Sequence, residues 1–72
     1  MTNDLKRLRR TADLTQQQLA RRLRVRQHEI SRWELGRHTP RAELLPRYAK
    51  ILGVTPEKLL RAILRNRRSR AV

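Results

Sequence analysis

Apolar residues recur along this chain at helical spacing, and nowhere do they alternate with polar ones for long enough to suggest a strand. Leu5, Leu8 and Ala12 lie at i, i+3 and i+7, which predicts a first helix from about Asp4 to Ala12. Thr15 follows as an N-cap, with Gln18 three residues on as its capping-box partner, and Leu19, Ala20 and Leu23 form the inner face of a second helix. Arg24-Val25-Arg26 makes a turn. A third helix runs from about Gln27 to Leu35 with Ile30 and Trp33 inward, and Gly36 stops it, because glycine adopts a left-handed backbone at little cost. A polar loop from Arg37 to Glu43, punctuated by Pro40, leads to a fourth helix starting near Leu45, where Pro46 suits the first turn. Tyr48, Ala49 and Leu52 face inward, and Gly53 ends that helix. Thr55 then caps a fifth helix that opens on Pro56 and carries the apolar stripe Leu59, Leu60, Ile63 and Leu64. The expected architecture is an all-α, five-helix domain over residues 1–65, with an Arg-rich tail at 66–72 that frays.

The stretch Gln16–Leu35 carries the most information. Ala20 is small, so the second and third helices can cross closely there, with Leu19 and Leu23 beside it, Val25 at the elbow and Ile30 and Trp33 closing the contact. On a helix of 3.6 residues per turn, His28 and Arg32 point away from Ile30, and Gln27 projects from the leading end. Glutamine bonds adenine bidentately and arginine does the same to guanine, so these three form a base-reading surface if the helix enters a major groove. The alternative is an ordinary solvated face. Arg9, at i+4 from Leu5, borders the buried stripe of the first helix, and Glu34, at i+4 from Ile30, borders that of the third. A buried arginine needs an anion, which predicts an Arg9–Glu34 pair; the alternative leaves both exposed and unpaired.

Charge narrows the partner. Nineteen Lys and Arg stand against six Asp and Glu, a net charge of +13, in a chain of 72 residues. Such a chain repels itself and seeks a polyanion: nucleic acid, an anionic membrane surface or an acidic protein. The length fits one small domain. Without cysteine and with two separated histidines there is no disulfide staple and no ligand set for a metal, and no cofactor is expected. His28, Glu29 and Ser31 radiate apart on one helix and cannot relay a proton, and no glycine-rich phosphate loop occurs, so an enzyme is not expected. No leader-like start and no apolar run of about 20 residues is visible, which points to a soluble cytoplasmic protein with no membrane partner.

From Leu5 to Leu60 the chain resembles the lambda-repressor-like helix-turn-helix family (Cro/C1 or Xre type). The matching residues are Leu8-Arg9, Leu14-Thr15-Gln16, Leu19-Ala20, Ile30-Ser31-Arg32-Trp33-Glu34, Gly36, Pro40, Ala49 and Leu52-Gly53-Val54-Thr55. The resemblance implies that Gln16 bonds a DNA phosphate, that Gln27, His28 and Arg32 touch bases, and that Arg37 and Arg41 touch the backbone. It also implies a structural Arg9–Glu34 pair. Arg24 stands where the family usually has glycine and Arg26 where a Ser or Thr cap is common; both are expected to meet phosphates as well. The resemblance further implies a homodimer on double-stranded DNA, at a palindromic operator. With no separate dimerisation domain in view, helix five is expected to supply the contact through Leu59, Ile63 and Leu64, unless these complete the core instead. The function expected is sequence-specific transcriptional regulation. The same fold also serves as a protein-interaction module in antitoxins and bridging coactivators. A third possibility is nonspecific binding of anionic membrane or RNA.

Overall fold

The computed structural model describes residues 3–71 and the side chains of residues 3–67. The order is α1 (Asp4–Thr11), α2 (Gln16–Leu23), α3 (Gln27–Glu34), a 3-10 turn (Ala42–Leu44), α4 (Leu45–Leu52) and α5 (Pro56–Ala71), with no strand among the described residues. The 3-10 turn falls at the end of the loop expected to be irregular, and α1 and α3 each stop one residue short of the expected end.

One device ends the first four helices. In each, a residue with positive φ follows the last turn: Asp13 (61°), Arg24 (60°), Gly36 (75°) and Gly53 (72°). The next residue's N–H reaches back to a carbonyl five positions earlier: Leu14 to Arg9 at 3.2 Å, Val25 to Ala20 at 3.0 Å, Arg37 to Arg32 at 2.9 Å and Val54 to Ala49 at 3.0 Å. This is the Schellman motif, which satisfies carbonyls left over at a helix end. Leu14, Val25 and Val54 follow three of these turns and pack against the core, so each stop also sets where the chain goes next. The starts are as local. Asn3 Oδ1 accepts from Lys6 N–H, Thr15 and Gln18 form the expected capping box, and Thr55 Oγ1 accepts from Lys58 N–H.

Leu5, Leu19, Leu23, Ile30, Tyr48 and Leu59 are fully enclosed, so every helix sends at least one large side chain to the common centre. Each such burial is worth roughly 1.5–3 kcal/mol. Trp33 leans on Tyr48 with ring centroids 5.6 Å apart and the planes inclined by 36°. These contacts hold α3 by Ile30, Trp33 and Glu34 and leave its opposite side outward.

Packing in α5 extends one residue past position 65. Asn66 is buried, and its side chain bonds three ways: Nδ2 to Glu34 O at 3.1 Å, Nδ2 to Asn3 Oδ1 at 2.9 Å, and Oδ1 from Asp4 N–H at 3.0 Å. Asn3 Nδ2 donates to the same Glu34 carbonyl at 2.6 Å. Two amides thus tie the start of α1 to the end of α3 and to α5. The helix continues to Ala71, and the side chains of residues 68–72, most of the basic tail expected at 66–72, lie outside the described residues.

Candidate nucleic-acid interface

The Arg9–Glu34 pair forms as expected and lies beneath the outward surface of α3. Arg9 Nε donates to Glu34 Oε2 at 2.6 Å and Nη2 to Oε1 at 3.2 Å, while Nη1 donates to Leu14 O at 2.8 Å. One guanidinium thereby joins α1, the turn before α2 and α3. The carboxylate has a further task. Its Oε1 accepts from Gln16 Nε2 at 3.0 Å, and Gln16 Oε1 faces Gln27 Nε2 at 3.5 Å. A chain of polar contacts thus runs from a buried ion pair to the first residue of α2 and then to the first residue of α3.

These bonds limit what the two glutamines can still offer. A side-chain amide has two N–H donors and a carbonyl acceptor. Gln16 spends one donor on Glu34 and keeps one for an anion. Gln27 spends one donor on Gln16 and keeps, among the described residues, its oxygen and one N–H, the pair that adenine requires.

Gln27, His28 and Arg32 are all exposed. By helical spacing Ser31 lies between Gln27 and His28 on the same side, and it is half-buried. Ser31 was not among the expected base readers; its place at i+4 from Gln27 and i+3 from His28 was the available signal. Arg32 stands at the far edge of this surface. There it shares a cleft of about 500 Å³ with Arg24, His38 and Arg41, whose walls also include Trp33 and two carboxylates, Glu29 and Glu43, so that three arginines outnumber two acids. His38 had no expected part in the interface, although it sits in the loop that supplies Arg41. The outward surface of α3 is therefore bordered by Gln16 on one side and by a cationic cleft on the other. Arg26 and Arg37 are exposed but do not line that cleft.

Arg24 does adopt the left-handed conformation that its place in the turn demands. Arg26 supplies no side-chain cap, since arginine has no acceptor; instead Glu29 Oε2 accepts from Arg26 N–H at 3.3 Å, which secures half of a capping box.

The expected dimerisation surface changes. Leu59 and Ile63 are 0% and 3% exposed, packed inside the monomer, so neither can meet a partner. Leu64 stays outward at 49%, joined by Leu60 at 45%. Among the described residues no group of three His, Cys, Asp or Glu is placed to hold a metal, and no helix is long and apolar enough to cross a membrane.

Residues 2–65 match the model of a family described as a helix-turn-helix domain, and the chain belongs to that family. It is similar to the HTH-type transcriptional activator BcrR of Enterococcus faecalis, with 43% identity over 56 residues. That match takes in 78% of this chain and 28% of the relative's length. No solved structure matches.

Proposed function

We propose that this chain is a sequence-specific DNA-binding module of a transcriptional regulator, with α3 in the major groove. The observation that carries the proposal is the outward surface of α3. Its hydrogen-bonding side chains are backed by a buried ion pair and bordered on both sides by groups that suit phosphates. A groove in B-DNA has the same plan, with base edges at the floor and one phosphate strand along each side. Gln27, His28, Ser31 and Arg32 read base edges. Gln16 holds the phosphates on one side, and Arg24 and Arg41 hold those on the other, with Arg26 and Arg37 adding charge at the margins. Family membership and a relative named as a transcriptional activator support this reading.

The module binds as a homodimer to a palindromic operator, with half-sites about 34 Å apart. Leu60 and Leu64 make the contact between copies. A net charge of +13 on each copy opposes association until the duplex neutralises it, so the dimer forms on DNA. Such a role belongs in the cytoplasm and requires neither a cofactor nor catalysis.

Salt dependence tests this directly. With about five phosphates neutralised by each copy, log K falls against log salt concentration with a slope near −9. A slope near zero contradicts the proposal.

A further inference from the structure

A second concave surface lies away from α2 and α3. It is an open groove of about 920 Å³ between α1, α5 and the turn that joins α4 to α5. Leu8, Leu52, Val54 and Ala62 give it an apolar floor, and Leu8 and Val54 are only partly covered by the chain itself. Arg7, Lys58, Arg61 and Arg65 stand along its walls, together with Asp4 and Glu57. Asp4 already faces Arg65 at 3.5 Å, and the four cations outnumber the two carboxylates. The Arg65 side chain is 75% exposed and free to turn toward a partner.

We propose that this groove docks an acidic amphipathic segment of a partner protein. Charge complementarity combined with the apolar floor selects that occupant. A duplex backbone would satisfy the cations but would set phosphates against leucine and valine, which desolvates charge without pairing it. A second copy of this chain would bring a further excess of cations to a basic rim. A helix with leucines along one side and carboxylates beside them satisfies both features at once, by the usual helix-in-groove mode. The groove shares no residue with the α3 surface, so a partner docks there while DNA is bound.

The experiment titrates the full chain, without DNA, against labelled synthetic peptides of about fourteen residues, or four turns of helix. One carries leucines along a single face and glutamates elsewhere. A second has the same composition, scrambled so that the leucines share no face. A third is polyglutamate. The striped peptide should bind about tenfold more tightly than either control at about 0.15 M salt, a difference of about 1.4 kcal/mol. The exposed double variant Lys58→Glu/Arg61→Glu should remove that advantage while leaving the melting temperature and duplex affinity unchanged. Equal binding of all three peptides, or no binding, overturns the proposal. So does striped-peptide binding that survives the double variant. A duplex affinity that falls with the variant as far as it does with Arg32→Ala assigns the groove to DNA. Sedimentation showing that the peptide displaces a second copy assigns it to self-association.

Discussion

Arg9 and Glu34, twenty-five positions apart, meet in a two-pronged ion pair whose side chains are 9% and 3% exposed. Removing one partner leaves the other charged and buried. Glu34→Ala should therefore lower unfolding stability by about 3–5 kcal/mol, read by urea denaturation. The paired replacement Arg9→Met/Glu34→Leu should recover most of that loss, because buried ion pairs can be exchanged for apolar packing at little cost. The recovered protein should still bind duplex more weakly. Gln16 will have lost the acceptor that positions it, worth about 1 kcal/mol as a hydrogen bond.

Tyr48 predicts a pH effect. Its hydroxyl is buried with no hydrogen-bond partner among the described residues. Burial raises its pKa well above the usual phenol range, the Glu34 carboxylate adds to the rise, and Arg9 offsets part of it. The unfolded chain ionises this group near pH 10, before the folded chain does. Unfolding thus releases a proton, and stability falls as pH rises above about 10, by up to about 1.4 kcal/mol per unit. Tyr48→Phe should remove that component. At neutral pH it should leave stability equal or up to about 1 kcal/mol higher, since an unsatisfied hydroxyl is gone. Denaturation curves at neutral and alkaline pH, run for both proteins, measure the difference.

The two glycines should respond unequally to alanine. Both have positive φ, which costs about 1 kcal/mol in alanine. A Cβ at Gly53 would meet nothing within 4 Å, whereas at Gly36 it would lie 2.8 Å from the Asn66 carbonyl oxygen in α5. Gly53→Ala should cost about 1 kcal/mol. Gly36→Ala should cost distinctly more, because main chain must move and the Asn66 bonds to Asn3 and Glu34 move with it. Equal losses on urea unfolding would contradict this.

Arg24 holds the left-handed conformation without glycine's freedom, so Arg24→Gly should raise stability by up to about 1 kcal/mol. It should also weaken duplex binding, through the loss of a cation from the cleft beside α3. Asp13→Gly should gain less, because aspartate tolerates this conformation better than arginine. Thermal melts and duplex titrations of the two variants separate these effects.

What could be read from the chain was decided locally. The Thr15–Gln18 box, the Thr55 cap, and the stops at Gly36 and Gly53 each depend on a few adjacent residues. Arg9 and Glu34 were legible because each borders an apolar stripe and one demands the other. Asn66 was hidden, since a polar residue amid arginines looks like tail; its partners Asn3 and Asp4 are 63 and 62 positions away. Asp13 was hidden because aspartate favours a left-handed backbone only weakly, far less than the glycines that mark the later stops. In α5, periodicity marked four apolar residues alike, and only packing separates buried Leu59 and Ile63 from outward Leu60 and Leu64. The surface of α3 was legible as a direction, while its support by Gln16 and its border at His38 depend on how the helices meet.

Selection from a random duplex library at about 0.15 M salt tests the central claim most directly. The wild-type chain should enrich an inverted repeat with half-site centres about 34 Å apart. Gln27→Ala and Arg32→Ala should each relax a different position of that motif, at about 1–3 kcal/mol. No enriched motif, or the same motif at the same affinity in both variants, would contradict the account.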